Sequence, residues 1–379
     1  MNAIEIKAVT TQRDISVFAS FANRLYAGNP FFVPDWEADL RDLFSEEKNP
    51  SLAFCDIQAF LAVRAGEVVG RVLAFVNCRS NDRWQTCTVR FSYLDFIEDR
   101  LVCQLLLQAV EDFGRNHGMD TVQGPLGFTD FDKEGMLVED FDRLSSPVTY
   151  YNAAYYPMML EKLGYEKAAD WVQLRLRLPA EAPAKYMRVA AYVRDQLHLR
   201  VRTLSTKEVT REGYGQRIFR LLNEAYAPLF GFTPFSEEQI RGIVALYAPL
   251  TDWRLIPVIE DEQGELVGVA VTMGSLAHAM RAAKGRLWPL GWWHLLRALK
   301  WRHSDTVEML LIAVRPDLQG YGLNALFFDY LTPVYHRLGY RYAETGPQLE
   351  DNLRELAQWK PLRPEMIKRR RCYKKMIGN

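Results

Sequence analysis

The residue types best suited to bind a ligand lie in one glycine-containing stretch, residues 314–325. An apolar run typical of a buried strand ends at Val314, and a helical pattern begins near Gly322. The first turn of a helix has backbone N–H groups without intrahelical partners and the positive end of the helix dipole, so it attracts anions. Gly320 and Gly322 also let a ligand approach the backbone where a Cβ would collide. The stretch therefore predicts a phosphate-binding loop, and an ordinary strand-to-helix turn is the alternative.

One candidate ligand of this loop is a dinucleotide. Gly320-x-Gly322-x-x-Ala325 has the required glycine spacing, and Glu344 ends the next predicted strand, where a ribose-binding carboxylate would lie. In dinucleotide-binding folds, however, the first glycine follows the strand directly, whereas five residues, including Pro316, intervene here. The neighbouring predicted elements are hairpins and not further strand–helix units. The spacing therefore disfavours NAD.

Another reading comes from the run Val-Arg-Pro-Asp-Leu-Gln-Gly-Tyr-Gly, residues 314–322. It resembles the pyrophosphate loop of the GNAT-type N-acetyltransferases, which use acyl-CoA. Gln319, Gly322 and Asn324 fall on the family's Gln/Arg, Gly and small-residue positions, and the asparagine departs from that pattern. A second register that starts at Asp317 keeps both glycines but loses the glutamine. We prefer the first register because it keeps the distance from the end of the strand.

The resemblance implies a site for acetyl-CoA or another acyl-CoA. Short phrases in both halves, such as Gly124-Pro125 and Glu350-Asp-Asn352, are similar to a two-module branch of the same family. A backbone N–H of the strand before the loop would polarise the thioester carbonyl. The cofactor-binding residues that the resemblance implies are Leu311, Ile312, Ala313, Val314, Gln319, Gly320, Tyr321, Gly322, Leu323 and Asn324.

Acyl transfer to an amine also needs a base that removes a proton from the amine. Glu344, at the end of the strand after the loop helix, is our candidate for this base. Glu308, early in the preceding strand, is the second choice. The structural alternative is that Glu344 pairs with Arg341 or another basic side chain.

The departing thiolate needs an acid. The family usually presents a tyrosine about seven residues after an asparagine of the last helix, and here Asn352 plus seven is Trp359, whose indole cannot donate a proton in this way. We take Tyr373 as the candidate acid, with Tyr342 or water as alternatives. A non-catalytic CoA-binding or protein-interaction module is therefore the alternative function to an N-acyltransferase.

The elements around these residues occur twice. In each half, a strand and helices lead into a hairpin and then a strand–helix–strand unit, which is the order of the GNAT family. The predicted fold class is thus α/β with a mixed sheet (α+β): tandem GNAT-like domains, each a central mixed sheet flanked by helices. The prolines near residue 180 predict a boundary there, with domains at 1–180 and 181–379 and a connecting helix within 181–198.

The first half lacks the loop. At the corresponding helix start it has Glu98 and Asp99, which would repel a pyrophosphate. Residues 1–180 contain 18 Lys and Arg against 26 Asp and Glu, a net charge of −8, and the rest of the chain has 29 against 21, a net charge of +8. We therefore expect the first domain to be a degenerate copy that binds no cofactor.

Composition limits the class of protein. The 379 residues are 49% hydrophobic and 25% charged, which excludes a disordered, collagen-like or coiled-coil chain. No run approaches the roughly 20 apolar residues of a membrane helix, and residues 1–14 lack a signal-peptide pattern. Five cysteines without C-x-x-C spacing argue against disulfides. We expect a cytoplasmic protein.

Several negative and partner predictions follow from the remaining residues. The six histidines, His303 among them, have no metal-ligand spacing, so we predict no metal site. The basic run 368–375 reads as the solvated face of a strand, so we expect no nucleic-acid partner. The tryptophan-rich stretch 287–301 reads as a packed insertion, with a membrane-surface helix as the alternative. The predicted partner is an amine acceptor, either a small molecule or a peptide, and the oligomeric state stays open.

Overall fold

The computed structural model describes residues 3–129, 131–301 and 304–378, and its chain divides into two compact units. Unit 1 contains the described residues up to Val172, residues 276–296 and those from Lys368 onward. Unit 2 contains the described residues of 173–275 and 297–367. Each unit is described by itself below.

The elements up to residue 177 contain the strands and helices of the first half. In chain order they are β1 (Ile4–Ala8), α1 (Gln12–Leu25), α2 (Glu37–Asp42), β2 (Cys55–Arg64), β3 (Glu67–Asn77), α3 (Cys78–Trp84), β4 (Thr88–Phe96), α4 (Arg100–Asn116), β5 (Thr121–Gly124), β6 (Met136–Glu139), α5 (Tyr155–Lys162) and β7 (Glu166–Arg177).

The elements from residue 184 onward contain the rest. They are α6 (Ala184–Leu197), β8 (Arg200–Thr203), α7 (Thr206–Arg211), α8 (Tyr214–Tyr226), α9 (Glu237–Tyr247), β9 (Pro257–Glu260), β10 (Leu266–Gly274), α10 (Ala277–Ala283), α11 (Gly291–Trp301), β11 (Thr306–Val314), α12 (Asn324–Arg337), β12 (Tyr342–Thr345), β13 (Gln348–Leu349), α13 (Leu353–Ala357) and β14 (Glu365–Met376).

Each unit has a mixed sheet. In unit 1 the strand order is β1-β2-β3-β4-β5-β14, in which β4 and β5 are parallel and the other neighbours antiparallel. In unit 2 the part of β7 after Val172 starts the order β7-β12-β11-β10-β9-β8, in which only β11 and β12 are parallel. Helices α4 and α12 each follow the central strand of their unit. The predicted mixed α/β class is confirmed.

Local sequence periodicity explains the two central helices and their packing. Val102, Leu106 and Val110 of α4 recur at intervals of four residues and are fully buried in the core of unit 1. In unit 2, Leu326 of α12 is buried against α6, where Tyr186 stacks on Phe328 with ring centroids 4.6 Å apart. The predicted connecting helix α6 is therefore a packed part of unit 2.

The C-terminal strand does not follow the predicted domain boundary at residue 180. Residues of β14 from Lys368 onward belong to unit 1, where Tyr373 lies opposite Gly124 of β5 and Arg370 lies opposite Leu137 of β6. Residues 276–296, between β10 and β11, belong to unit 1 as well. The prolines of the linker predict a boundary near residue 180, but local composition does not report which distant strands pair.

The basic run in β14 is not a solvated face. Lys368 and Arg370 are buried, and the Arg370 guanidinium donates to the carbonyl of Tyr150 at 2.6 Å and to the hydroxyl of Thr149 at 2.9 Å. Arg371 pairs with Asp170 at 2.8 Å. Basic side chains of this strand are thus committed to contacts inside unit 1, and the sequence-based expectation of a solvated face is wrong for Lys368 and Arg370.

The tryptophan-rich stretch also differs from its prediction. Trp288 is 79% exposed, and Trp292 and Trp293 are each 44% exposed, so these side chains are not packed as an insertion. Leu295 of the same helix does pack on the small buried cluster of unit 1 that contains Val33 and Met280. Among the helices of the described residues, none is long and apolar enough to cross a membrane.

Candidate functional site

The glycine-containing loop has an open helix start. After β11, a short 3-10 turn at Pro316–Leu318 leads to Gly320 and Gly322, which have φ angles of 90° and 88°. These left-handed conformations suit glycine, and they turn the chain into α12. The residue before α12 is Leu323, and no side chain caps this end of the helix. No side chain therefore competes with an anion at this end, although the N–H groups of Ala325 and Leu326 already donate to the carbonyls of Gly322 and Leu323 at 2.9 and 3.0 Å.

Two side chains of the predicted loop hydrogen-bond to other parts of the chain. The Gln319 side chain donates to the carbonyl of Val314 at 3.0 Å, which ties the loop back to the end of β11. The Asn324 side chain donates to the Gln358 side-chain oxygen at 2.8 Å. The asparagine that departs from the family's small residue thus links the start of α12 to the segment after α13.

Packing against α6 explains why residue 322 is a glycine, but it does not explain the glycine at residue 320. A Cβ at Gly322 would lie 2.8 Å from a methyl carbon of Val189 on α6, so a side chain there would require Val189 to move. A Cβ at Gly320 would have no neighbour within 4 Å. Tyr321 between them is 62% exposed, and Leu323 is buried. The exposed side of the loop is therefore at residues 320 and 321.

The central strand β11 loses one of its neighbours before it reaches the loop. The parallel pairing with β12 ends at Met309 opposite Thr345, and the N–H of Gly346 then donates to Met309 at 2.7 Å. Strand β11 continues to Val314 against β10 alone in the described part of the chain, with a bulge near residue 310. The two parallel strands thus diverge and leave a backbone edge of β11 open.

Exposure along β11 agrees with this divergence. Residues 309–312 are half-buried, although β11 lies in the middle of its sheet. The corresponding stretch of β4 in unit 1, residues 91–96, is buried except at Tyr93. Because a central strand is normally covered on both faces, the exposure in unit 2 indicates a slot beside the strand. The predicted residues Leu311 and Ile312 belong to this half-buried stretch, whereas Ala313 and Val314, which follow them, are buried.

Tyr226, at the end of α8, reaches this open edge. Its hydroxyl donates to the carbonyl of Ile312 at 3.1 Å and lies 3.3 Å from the N–H of the same residue. Sequence analysis missed Tyr226, because only the packing of α8 on β11 shows where its hydroxyl lies. The structure thus places a phenol at the strand segment that the resemblance assigns to the thioester.

The candidate base Glu344 is half-buried on β12, just before the strands diverge. Its carboxylate lies 3.4 Å from the guanidinium of Arg175 on β7, so the alternative of an ion pair applies, with Arg175 in place of Arg341. Glu308 lies opposite Glu344 in the parallel register, which puts both side chains on one face of the sheet. The hydroxyl of Ser275 donates to Glu308 at 2.6 Å.

The candidate acid Tyr373 lies elsewhere. It is buried in the core of unit 1, and its hydroxyl donates to Glu161 at 3.1 Å. Burial raises the pKa of Tyr373 well above its ordinary value. These surroundings favour a structural role in unit 1, and the assignment of Tyr373 as an acid stays a prediction.

Trp359, at the position of the family's tyrosine, is a core residue of unit 2. Its indole N–H donates to the Gln348 side chain at 3.0 Å, and Gln348 donates to Glu355 at 3.2 Å. Asn352 caps α13 through the N–H of Glu355. Burial raises the pKa of the Glu355 carboxyl to about 7. Sequence analysis did not single out Glu355, because only the packing of α13 buries it.

Comparison with known proteins decides the fold. The structure superposes on a tandem GNAT protein from the clavulanic acid biosynthesis pathway with a TM-score of 0.56 and 14% identity, over 100% of this chain and 99% of that one. The chain has the tandem GNAT fold. The fold that the loop motif predicted is confirmed by this match. No family model matches the chain.

Two relatives match the sequence. Protein YghO of Escherichia coli (strain K12) is 25% identical over 98% of this chain and 95% of the relative. The bacterial ceramide synthase of Caulobacter vibrioides (strain NA1000 / CB15N) is 26% identical over 83% of this chain and 82% of the relative. Both matches extend over most of the tandem GNAT fold and are not confined to the loop.

The first GNAT module has a different helix start. The Asp99 side chain caps α4 by accepting from the N–H of Leu101 at 2.8 Å, and it also pairs with Arg64. The Arg64 guanidinium holds the pKa of the Asp99 carboxyl below its usual range. The anion position at this helix is therefore filled by a carboxylate of the chain itself.

Tyrosines fill the corresponding strand edge in the first module. The pairing of β4 with β5 ends at Arg90, and the backbone of Phe96 further along β4 bonds to two hydroxyls. The N–H of Phe96 donates to Tyr156 at 2.8 Å, and the carbonyl accepts from Tyr155. Tyr26 donates to Tyr156 at 2.7 Å. These hydroxyls therefore satisfy the backbone of β4 beyond its pairing with β5.

Metal binding has no support in the described residues. Among them, no group of three or more histidine, cysteine or acidic side chains is arranged to hold a metal ion. His303 lies outside the described residues.

Glu355 gives a pH-dependent prediction. A carboxyl whose pKa rises from 4.5 to about 7 on folding favours the folded state below pH 4.5 and loses that contribution as pH rises through 7. Glu355→Gln cannot ionise and can still accept from Gln348. We expect its free energy of unfolding to equal that of the wild type at pH 4 and to exceed it by about 1–2 kcal/mol at pH 8, because partial exposure reduces the full shift.

Urea unfolding followed by tryptophan fluorescence at both pH values measures this difference. The matched control is Glu181→Gln, which removes an exposed carboxylate of unit 2. A stability difference for Glu355→Gln that is the same at pH 4 and pH 8 would contradict the raised pKa.

Proposed function

We propose that the protein is an acyl-CoA-dependent N-acyltransferase whose donor site lies in unit 2. The observation that carries the proposal is the open edge of β11 next to the uncapped start of α12. A pyrophosphate needs an anion site, and the extended chain attached to it needs a slot between strands. Both fit an acyl-CoA, of which acetyl-CoA is the simplest.

The loop supplies the anion site. Gly320 and the residues after it would bring backbone N–H groups to the pyrophosphate, and Gln319 holds the loop in shape through Val314. The net charge of +8 on residues 181–379 favours an anionic ligand on this half of the chain. Leu311 and Ile312 would line the pantetheine arm.

The reaction is nucleophilic attack of an amine on a thioester. When bound, acyl-CoA supplies an activated acyl group, whose transfer forms a C–N bond and breaks the C–S bond. Glu344, beside the divergence of β11 and β12, takes the proton that the amine loses. Tyr226 is the better-placed proton donor for the leaving thiolate, because its hydroxyl already lies at Ile312.

A long-chain amine is the acceptor that we propose. The support is the relative named as a bacterial ceramide synthase, since a ceramide is an N-acylated long-chain amino alcohol. The donor would then carry a fatty acyl chain in place of the acetyl group that the resemblance implies most simply. Cytoplasmic location stays a prediction.

Trp359 supports a second candidate function, a non-catalytic CoA-binding module. Its buried indole bonds to Gln348 and replaces the family's tyrosine. The release of free CoA thiol distinguishes the two functions. Acetyl-CoA and a long-chain acyl-CoA are each incubated with a long-chain amino alcohol and, separately, with ethanolamine. We expect turnover with the long-chain amino alcohol. CoA binding without turnover on any pair would favour the non-catalytic module.

A charge introduced at Gly320 tests the donor site. Gly320→Glu and Gly320→Gln impose the same backbone strain and project into the same open space, so they differ only in charge. Like charges about 5 Å apart at a partly exposed site cost about 1–3 kcal/mol. We therefore expect the dissociation constant for acetyl-CoA, measured by calorimetry, to be about tenfold or more higher for Gly320→Glu than for Gly320→Gln.

The control for this pair lies in the first module. Glu98→Gln removes an exposed carboxylate just before α4 and should leave acetyl-CoA binding unchanged. Equal affinities of the two Gly320 variants would place the pyrophosphate elsewhere. A change of affinity in Glu98→Gln would contradict the assignment of the donor site to unit 2.

The role of Tyr226 is tested by removing its hydroxyl. Tyr226→Phe should lower kcat about 100-fold, since general acids typically contribute about 10²–10⁴-fold, and should leave acyl-CoA affinity within about threefold. Tyr214→Phe is the matched control, because it removes a hydroxyl of the same helix that bonds to Glu260 and not to β11. Unchanged kcat in Tyr226→Phe would show that another group protonates the thiolate.

A further inference from the structure

Unit 1 carries a cluster of exposed apolar side chains just before and within the start of α11. We call it the Trp surface, and it consists of Leu287, Trp288, Leu290, Trp292 and Trp293, which are 39%, 79%, 65%, 44% and 44% exposed. Single exposed apolar residues are common on proteins, but a contiguous group with three tryptophans is not. Its exposure therefore indicates contact with another apolar phase.

Local hydrogen bonds order the backbone of the Trp surface. The N–H of Trp292 donates to the carbonyl of Leu287 at 2.9 Å, and its indole N–H donates to the carbonyl of Pro289 at 2.9 Å. The N–H of Trp293 donates to the carbonyl of Leu290 at 3.1 Å. The tryptophans thus stand on an ordered turn, so little conformational entropy is lost when they insert into an apolar phase.

The segment before the Trp surface is anchored to unit 1. Ala277 and Met280 of α10 are buried with Val33, and the Arg286 guanidinium lies 3.1 Å from both oxygens of Glu37. The inward-facing apolar residues already have a core. The outward-facing tryptophans are therefore a separate set, which the folding of unit 1 buries only in part.

The charge of the surrounding sequence is one-sided. Residues 266–304 contain no Asp or Glu and six Lys or Arg, namely Arg281, Lys284, Arg286, Arg297, Lys300 and Arg302. Of these, Arg286 is paired with Glu37, and Lys284 is exposed. Basic residues next to tryptophans complement anionic lipid headgroups, since the bases attract the headgroups and the indoles enter the interface.

We propose that the Trp surface docks the protein on an anionic lipid bilayer. The tryptophans enter the headgroup region, and the basic residues of 281–286 in the same unit face the negative surface. This docking goes beyond the transfer reaction and needs neither acyl-CoA nor turnover. It also gives a membrane-dissolved amine a route to the protein, and in that respect alone it rests on the proposed function.

Flotation of the full chain with vesicles tests the docking. We expect wild type to float with vesicles of phosphatidylcholine and about one quarter phosphatidylglycerol, and to bind less at about 0.5 M salt, where charges are screened over a few ångströms. Trp288→Ser/Trp292→Ser/Trp293→Ser should lower the partition coefficient about tenfold or more, because binding scales with the apolar area inserted. Brominated lipid should quench wild-type tryptophan fluorescence and leave the triple variant largely unquenched.

The matched control is Leu246→Ser/Leu250→Ser, which removes two apolar side chains of unit 2 that are 61% and 59% exposed. It should float like wild type, and all variants should keep a cooperative thermal unfolding transition, which separates a loss of docking from a loss of folding. Equal flotation of the triple variant and wild type, or no flotation of wild type, would overturn the proposal. Self-association of wild type that the triple variant loses, without flotation, would assign the surface to a second copy and overturn it as well.

Because flotation needs no acyl-CoA, its outcome is independent of the proposed chemistry. A triple variant that no longer floats but still acylates a water-soluble short amine would keep the transferase function and assign the loss to docking. Flotation of a protein that neither binds nor turns over acyl-CoA would keep the docking and reject the transferase.

Discussion

The divergence of β11 from β12 is the constraint on which the functional interpretation depends. Once β12 ends its pairing at Thr345, the N–H and C=O groups on that side of β11 need other partners, because unpaired backbone groups inside a protein are costly. In unit 2 the Tyr226 hydroxyl satisfies one residue of this edge, and the loop and α12 open next to it. The slot beside β11 and the anion site at the start of α12 are thus adjacent, because β11 borders the slot and then continues into the loop before α12.

The first module meets the same divergence of two parallel strands with its own side chains. Tyr155 and Tyr156 satisfy the backbone of Phe96, and the carboxylate of Asp99 caps the helix that follows. The two modules thus meet one structural requirement by different means. In unit 1, tyrosine hydroxyls bond to the backbone of Phe96 and a carboxylate caps α4, whereas in unit 2 the Tyr226 hydroxyl bonds to Ile312 and no side chain caps α12.

Sequence alone predicted what local patterns encode. The loop after Val314 and the bounds of α6 follow from strand and helix periodicity and from glycine spacing, and the structure has both at the expected positions. The placement of β14 in unit 1 and the reach of Tyr226 to Ile312 depend on contacts between residues far apart in sequence. Exposure of Trp288 likewise depends on what folds over it, which periodicity does not report.

The central claim is that one module binds acyl-CoA and the other cannot. The most direct measurement is the stoichiometry of acetyl-CoA binding to the full chain, by equilibrium dialysis with labelled ligand at saturating concentration. One molecule per chain is the predicted result. Two molecules per chain would show that the tyrosines and Asp99 do not close the first module, and no binding would show that the open edge of β11 serves another ligand.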